Sequence, residues 1–274
     1  MGNKYIFLTG AAGGFGKIAA QLLVEKGYYV FAADIEPLPA EIVHSEKVIP
    51  LQFDLTDAAE TEKAVAKVRK ITNRLAGLVN IAALFDQFPL AETEAVVFDR
   101  LIHANLFAAQ YITAALFPLL YEGRGRIVNL SSQSAPVPIP LMSYGFSKRI
   151  FDDWNTQLRI ELALLGMDVI VIRAGGHKTP FLDKSAKVLN RINENSLYSG
   201  LMRYARAKGL KMLAETKNEP QDLAKVIVEA LTVRKPKKVY NVNVDMLFQL
   251  LSWLPAGLRE RLLVRYLKKQ RKVW

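Results

Sequence analysis

The sequence predicts an α/β fold: a doubly wound, mostly parallel seven-stranded sheet with helices on both faces. Two observations carry this. Strand-like apolar runs at 5–8, 28–33, 47–53, 76–82, 126–130, 168–173 and 239–243 alternate with helical stretches, an order that gives parallel strands joined by crossover helices. A glycine-rich turn, Thr9-Gly10-Ala11-Ala12-Gly13-Gly14-Phe15-Gly16, stands between the first strand and a helix marked by Ile18, Leu22 and Leu23. The 274 residues, 51% of them hydrophobic, suffice for one large core, and no low-complexity linker divides them. Residues 1–245 therefore read as one domain and 246–274 as a separate basic extension.

The first element explains itself chemically. Lys4 to Leu8 is a buried strand, and the glycines after it let backbone approach an anion that a Cβ would hold off. Free N–H groups at the start of the next helix, aided by its dipole, bind phosphate. The second strand ends in Asp34, 18 positions beyond Gly16. In a dinucleotide-binding βαβ unit a carboxylate there accepts hydrogen bonds from the adenosine ribose and repels a 2′-phosphate. No Lys or Arg occupies 11–13 or 35 to neutralise such a phosphate, so NAD(H) is favoured over NADP(H).

Further along, a strand ending in Asn129-Leu130-Ser131-Ser132 is followed by Tyr144-Gly145-Phe146-Ser147-Lys148. If 143–165 is helical, Tyr144 and Lys148 lie one turn apart on one face. A hydroxyl, a phenol and an ammonium that converge form a proton-transfer group, and the positive charge is expected to lower the phenol pKa.

With these motifs in hand, the chain resembles the short-chain dehydrogenase/reductase family, in its compact branch. The glycines at 10, 14 and 16 reproduce that branch's T-G-x-x-x-G-x-G, and the other motifs follow in order. They are Asp54-Leu55, Asn80-Ile81-Ala82-Ala83, Asn105, Asn129 to Ser132, the Tyr144/Lys148 pair, and Gly175 to Pro180. The resemblance spans about residues 4–245 and implies a Rossmann-type NAD-binding catalytic domain that works as a homo-oligomer, dimer or tetramer. It implies that Tyr144 is the general acid/base, that Lys148 tunes it and holds the nicotinamide ribose, that Ser132 bonds the substrate oxygen, and that Asn105 anchors a water leading the proton out. For the cofactor it implies contacts from Thr9, Gly10, Gly14, Phe15, Gly16, Asp34, Asp54, Leu55, Asn80, Ala82, Gly175, His177 and Thr179.

Three departures from the family pattern stand out. Ser132 precedes Tyr144 by 12 positions and Ser131 by 13, where the family has 13; the Asn-x-Ser-Ser pattern favours Ser132. Ala83 replaces a glycine, and Ala174 replaces a proline. His177 is tempting as a base, but a lone loop histidine is more often incidental, and the resemblance implies a backbone contact at this position.

The loop Pro136-Val137-Pro138-Ile139-Pro140-Leu141, between serine and tyrosine, is apolar and stiffened by three prolines. With Phe85, Phe88, Phe181 and Leu182 it predicts an apolar pocket, with Phe85, Val137, Ile139 and Phe181 as substrate contacts. The expected substrate is a hydrophobic secondary alcohol or ketone of steroid, retinoid or lipid type, under a lid formed by 182–218. The rival reading is a catalytically idle NAD-sensing or lipid-binding protein on the same fold, against which the joint presence of Asn105, Ser132, Tyr144 and Lys148 argues.

Absent cysteines exclude disulfides and fit a reducing, cytoplasmic setting. Histidines only at 44, 103 and 177 give no metal constellation. No apolar run reaches the ~18 residues of a membrane span, and Ile6 stands where an N-myristoylation signal needs Ser or Thr. The tail differs. Residues 234–274 hold eleven basic and two acidic side chains, +9 of the formal +11. Leu258, Leu262, Leu263, Tyr266 and Leu267 share a helical face opposite the cations, with Trp253 and Trp274 at the ends, which reads as a peripheral membrane-surface element. Packing over the cleft or against another subunit fits the same pattern. Nucleic acid is not expected, for want of a recognition motif.

Overall fold

The computed structural model describes residues 3–270. Seven strands form one sheet: β1 (Tyr5–Thr9), β2 (Tyr29–Asp34), β3 (Val48–Gln52), β4 (Gly77–Asn80), β5 (Arg126–Ser132), β6 (Val169–Ala174) and β7 (Val239–Val242). Their order is β3-β2-β1-β4-β5-β6-β7, and every neighbouring pair is parallel. A helix lies in every connection, so each strand re-enters from the same end and the expected mostly parallel sheet is wholly parallel. The fifth strand runs two residues beyond the expected end, and Ser131 and Ser132 pair with Arg173 and Ala174 of β6.

The helices are α1 (Gly14–Glu25), α2 (Ala40–Val43), α3 (Ala58–Ile71), α4 (Ala95–Ile102), α5 (Ala108–Gly123), α6 (Ser143–Ala163), α7 (Pro180–Leu189), α8 (Ser199–Ala214), α9 (Pro220–Thr232), α10 (Met246–Trp253) and α11 (Ala256–Gln270). Alternation along β1 shows how they divide. Ile6 and Leu8 join Ala19 and Leu23 of α1 and Leu223 and Ile227 of α9 in one core. Phe7 points the other way, to Val65 and Val68 of α3 and Ile112 and Leu116 of α5. Strand order reverses between β1 and β4, which opens a crevice at the carboxyl ends of these strands.

A π-helical turn, His103–Phe107, joins α4 to α5. The resulting helix, Ala95–Gly123, has a mean hydropathy of 1.2 and is long and apolar enough to cross a membrane. This corrects the expectation that no segment reaches that length. Its buried side, with Ala108, Ile112, Leu116 and Leu120, is part of the sheet's core, and 39% of the apolar stretch is buried there.

The other ends of the strands are closed by a polar clamp. Arg126, at the start of β5, donates through Nη1 to the carbonyls of Ala230, Leu231 and Val233 and pairs with Asp168 at 3.2 Å. Carbonyls in the last turn of a helix lack intrahelical donors, so this guanidinium caps α9 while tying it to the sheet. Met1, Gly2, Arg271, Lys272 and Trp274, on which parts of the terminal readings rest, lie outside the described residues.

Replacing Arg126 by alanine leaves those carbonyls without a charged donor and is expected to destabilise the fold by about 1–3 kcal/mol. Urea unfolding followed by circular dichroism checks this; an unchanged midpoint would refute the clamp.

Candidate active site

The glycine turn lies against β4 more closely than any side chain allows. Gly10 has φ +69°, and a Cβ there would sit 2.8 Å from the Ala82 nitrogen. At Gly16 it would sit 2.0 Å from the Gly10 carbonyl oxygen, so the helix can start this near the turn only without a side chain. Asp34 locks the arrangement from β2. Its carboxylate accepts from the Ala12 N–H at 2.9 Å and the Glu36 N–H at 3.0 Å.

A cavity of about 810 Å³ begins here and runs across the strand ends. Gly10, Gly14, Phe15, Asp34 and Ala82 line its first part, with Gly175, His177 and Thr179 opposite. The wall at 34–37 carries the two carboxylates Asp34 and Glu36 and no cation. The close approach at Gly10 and the anionic rim suit the pyrophosphate and diol of a dinucleotide.

Ser132, Tyr144 and Lys148 meet deeper in the same cavity. Ser132 bonds the Tyr144 side chain, and its Oγ is 2.9 Å from Ser134 Oγ and accepts from the Ser134 N–H at 3.2 Å. Ser131 is buried, and its Oγ has no partner. The Tyr144 ring clusters with Phe85 and Phe181, at centroid distances of 5.3 and 5.8 Å, and those two rings lie 6.1 Å from each other. Val137 and Ile139 complete the apolar wall, so all four expected substrate contacts face one space.

The electrostatics reverse one expectation. Burial pushes the Tyr144 phenol up, outweighing the lowering by its Ser132 hydrogen bond, and the phenol stays protonated at neutral pH. Lys148 is 2% exposed. Its Nζ donates to the Leu130 carbonyl at 2.9 Å and lies 5.9 Å from the Tyr144 ring centroid. Desolvation lowers its pKa to about 8, opposed by the charge of Asp152. The ammonium is thus itself held near its titration point, and burial dominates the pair.

Six residues implied by the resemblance do not reach the cavity wall. Thr9 Oγ1 accepts from the Ile81 and Ala82 N–H groups and fixes β1 to β4. Asn80 Nδ2 donates to Asn129 Oδ1 at 2.8 Å, and Asn129 Nδ2 in turn donates to Asn155 Oδ1. Gly16 faces the turn, Leu55 is core, and Asp54 Oδ1 accepts from the N–H and hydroxyl of Thr56. Asn105 sits in the π turn, where Oδ1 accepts from Leu84 N–H at 2.7 Å and Nδ2 donates to the Leu84 carbonyl and Ser147 Oγ. Its side chain is fully engaged in protein, so it positions the loop before Phe85.

Some contributors were not foreseen from the sequence. Ser134 supports Ser132, although the run Ser131-Ser132-Gln133-Ser134 offered it. Asp86 carries the start of α6: its carbonyl accepts from Tyr144 N–H at 3.1 Å and Ser143 Oγ at 2.9 Å, and its carboxylate pairs with Arg100 at 2.9 Å. No local pattern marks it. His177 is buried, with Nδ1 3.0 Å from the Gly175 carbonyl and Nε2 3.2 Å from Asn243 Nδ2. Those partners require the Nδ1–H tautomer, and burial lowers the pKa, keeping the ring neutral. Gly175 in place of a larger residue admits the chain at Asn243, whose carbonyl oxygen would be 1.8 Å from a Cβ.

The tail closes the far side. Leu247, Phe248 and Leu251 of α10 and Leu263, Tyr266 and Leu267 of α11 line the cavity. The single apolar face expected on α11 is therefore split, because Leu258 and Leu262 remain exposed while Leu263 and Leu267 turn inward. Arg259, expected among the solvated cations, is 6% exposed, and its Nη1 donates to the Pro136 carbonyl at 3.0 Å.

The family profile for short chain dehydrogenases matches residues 4–189. Retinol dehydrogenase 5 of Homo sapiens is 30% identical over 288 residues, covering 97% of this chain and 90% of that protein. Among solved structures, 3-ketoacyl-(acyl-carrier-protein) reductase from Brucella melitensis, complexed with NADH, superposes with TM-score 0.70 at 21% identity, covering 88% of this chain and 96% of the other. A short chain dehydrogenase from Burkholderia cenocepacia in complex with NADP gives TM-score 0.70 at 20% identity, with 96% and 97% covered.

The buried ammonium has a measurable cost. A lysine whose pKa falls on folding is penalised fully below its folded pKa of about 8 and not at all above the unfolded value of 10.5. Lys148→Met is therefore expected to unfold at higher urea than the wild type at pH 7, with an advantage smaller by about 2–3 kcal/mol at pH 10. Equal advantages at the two pH values would contradict this.

Proposed function

The chain belongs to the short-chain dehydrogenase family and is an oxidoreductase, and from that premise we propose that it transfers a hydride between NAD(H) and a hydrophobic secondary alcohol or ketone of retinoid, steroid or lipid type. The observation that carries the reading is one cavity that joins the Asp34 rim to the Ser132–Tyr144–Lys148 group through apolar walls. Human retinol dehydrogenase 5, whose name gives it a hydrophobic alcohol, supports the apolar character of the substrate.

The residues present fit the dinucleotide: a backbone cradle at Gly10 that a Cβ would fill, and a carboxylate pair where a ribose diol would lie. NAD(H), when bound, supplies or accepts the hydride. The chain's own groups handle the proton. In reduction the protonated Tyr144 donates to the carbonyl oxygen while Ser132, aligned by Ser134, donates a second hydrogen bond to the developing alkoxide. In oxidation Tyr144 must first lose its proton, which its burial opposes. Lys148, close to its own titration point, supplies charge that favours the phenolate. Phe85 and Phe181 pack beside the phenol and keep water from it.

The reading extends to the outer surface. A homo-oligomer, dimer or tetramer, is favoured by the aromatic stripe of the long helix, where Phe107 and Tyr111 stack at 6.1 Å with Phe107 37% exposed. The segment 182–218 serves as lid. Residues 246–274 contact an anionic membrane surface, supported by exposed Met246, Leu250, Trp253, Leu258 and Leu262 interspersed with Arg261, Arg265, Lys268 and Lys269.

A panel of retinoid, steroid and long-chain secondary alcohols followed at the NADH absorbance band tests the reaction. Alcohol oxidation should rise with pH up to about 8 and level off where Lys148 loses its charge, and Tyr144→Phe and Ser132→Ala should lower kcat by at least about 100-fold, with Ser131→Ala much milder. Asp34→Ser should shift preference toward NADP. NAD binding without turnover of any alcohol or ketone would support the idle binding protein instead.

Sedimentation with anionic vesicles should remove most of the full chain from solution and leave a Trp253→Ser/Leu250→Ser variant in the supernatant. Equal partitioning of the two would eliminate the membrane contact.

A further inference from the structure

The charged residues of the cavity wall are sorted by position. Asp34 and Glu36 stand at one end, and Lys148 lies at the reaction centre. Lys184 and Lys208 stand at the lid end, on α7 and α8. Three strand spacings separate β2 from β5, about 14 Å, and the lid helices follow β6, on the far side of the reaction centre from Asp34. The acidic end matches the ribose of the cofactor. The basic end has no counterpart in the proposed chemistry, because a plain apolar alcohol has nothing to offer two ammonium groups.

Both are exposed at the rim, and among the described residues no side chain neutralises them. Their neighbours Lys178, Arg203 and Lys211 pair with Glu219, Glu194 and Glu215, whereas among the described residues neither Lys184 nor Lys208 has a carboxylate partner. Lys208 Nζ lies 5.8 Å from the Tyr204 ring centroid, which holds its stem along the cavity edge. Tyr204 and Tyr266 join their hydroxyls at 2.7 Å across the gap between α8 and α11. Only one proton can lie between the two oxygens, so the second hydroxyl retains a hydrogen to donate outward. Burial, then the bond to Tyr266, pushes the Tyr204 pKa up to about 12, so the pair stays a donor. Two ammonium groups and a free phenolic O–H make a set of donors without an acceptor.

We propose that this end is an anion subsite, and that the substrate is an amphiphile whose apolar body carries a carboxylate or similar anionic group away from the reacting carbinol or carbonyl. Leu201, Met212, Leu213 and Leu251 line the wall around it and receive the body. The inference rests on reading the cavity as the substrate site and deepens that reading by a second recognition point.

The test uses a long-chain fatty acid with a mid-chain secondary hydroxyl and its methyl ester, without vesicles, so that a lipid headgroup cannot supply the anion. Binding to NAD-loaded protein is measured by calorimetry and NADH formation in parallel. The acid should bind roughly ten-fold more tightly than the ester. Lys184→Met/Lys208→Met should bring the ratio to about one, and Lys184→Glu/Lys208→Glu should invert it; circular dichroism verifies that both variants fold. A ratio of one in the wild type, a ratio unchanged in the variants, or no binding of either ligand overturns the subsite. A clear acid preference with no NADH from either compound upholds the subsite and overturns the proposed reaction.

Discussion

Withdrawal of Lys148 from water is the constraint around which this structure is arranged. A buried ammonium is costly unless its surroundings answer it, and here the answer is distributed. The Leu130 carbonyl accepts from it, the Phe151 ring lies 4.9 Å away, and Asp152, itself paired with Arg173 at 2.7 Å, raises its pKa against desolvation. Leu130 lies on β5, Phe151 and Asp152 on the next turn of α6, and Arg173 ties Asp152 to β6. The register of α6 against β5 and β6 is therefore coupled to the charge, and a shift of one residue in that helix would strand it.

This coupling explains which parts of the site were legible in the sequence. Spacing along one element is readable: Tyr144 and Lys148 one turn apart on α6, or Gly10, Gly14 and Gly16 around one turn. Contacts between elements are not. Asp86 gives no signal of its own, yet its carbonyl accepts from the Tyr144 N–H and the Ser143 hydroxyl at the start of α6, which lacks a side-chain N-cap. The same limit affected the pKa reading, because spacing brings Lys148 near Tyr144 but says nothing of depth. Burial then raised the phenol where proximity alone would have lowered it. Thr9, Asn80 and Asn105 show the converse. Motif order points to their positions in the chain, but only the fold shows that Thr9 Oγ1, Asn80 Nδ2 and the Asn105 amide join strands and loops behind the cavity wall.

The tail was ambiguous in sequence for a related reason. An amphipathic helix with cations announces that it has two faces, but not what each face meets. In the structure one face turns inward and the other stays exposed. Leu263 and Leu267 close the cavity, while Leu258, Leu262 and Trp253 remain outside.

Arg259 connects this closure to the chemistry. Its guanidinium is buried, its Nε has no partner among the described residues, and its Nη1 donates to the Pro136 carbonyl. An arginine so poorly compensated lowers stability, so its retention is best understood by what it holds. Pro136 follows Ser134 by two residues, and Ser134 aligns Ser132. At the other end of the same loop Leu141 takes φ +65°, a conformation unfavourable for a branched side chain, and is kept there by packing against Leu201 and Met202 of α8 with Leu267 of α11. The loop between serine and tyrosine is thus gripped at one end by α11 and at the other by α8 and α11 together. The apolar wall of the cavity and the strand end that presents Ser132 are joined through this one loop, whose two ends are held by α11 and α8.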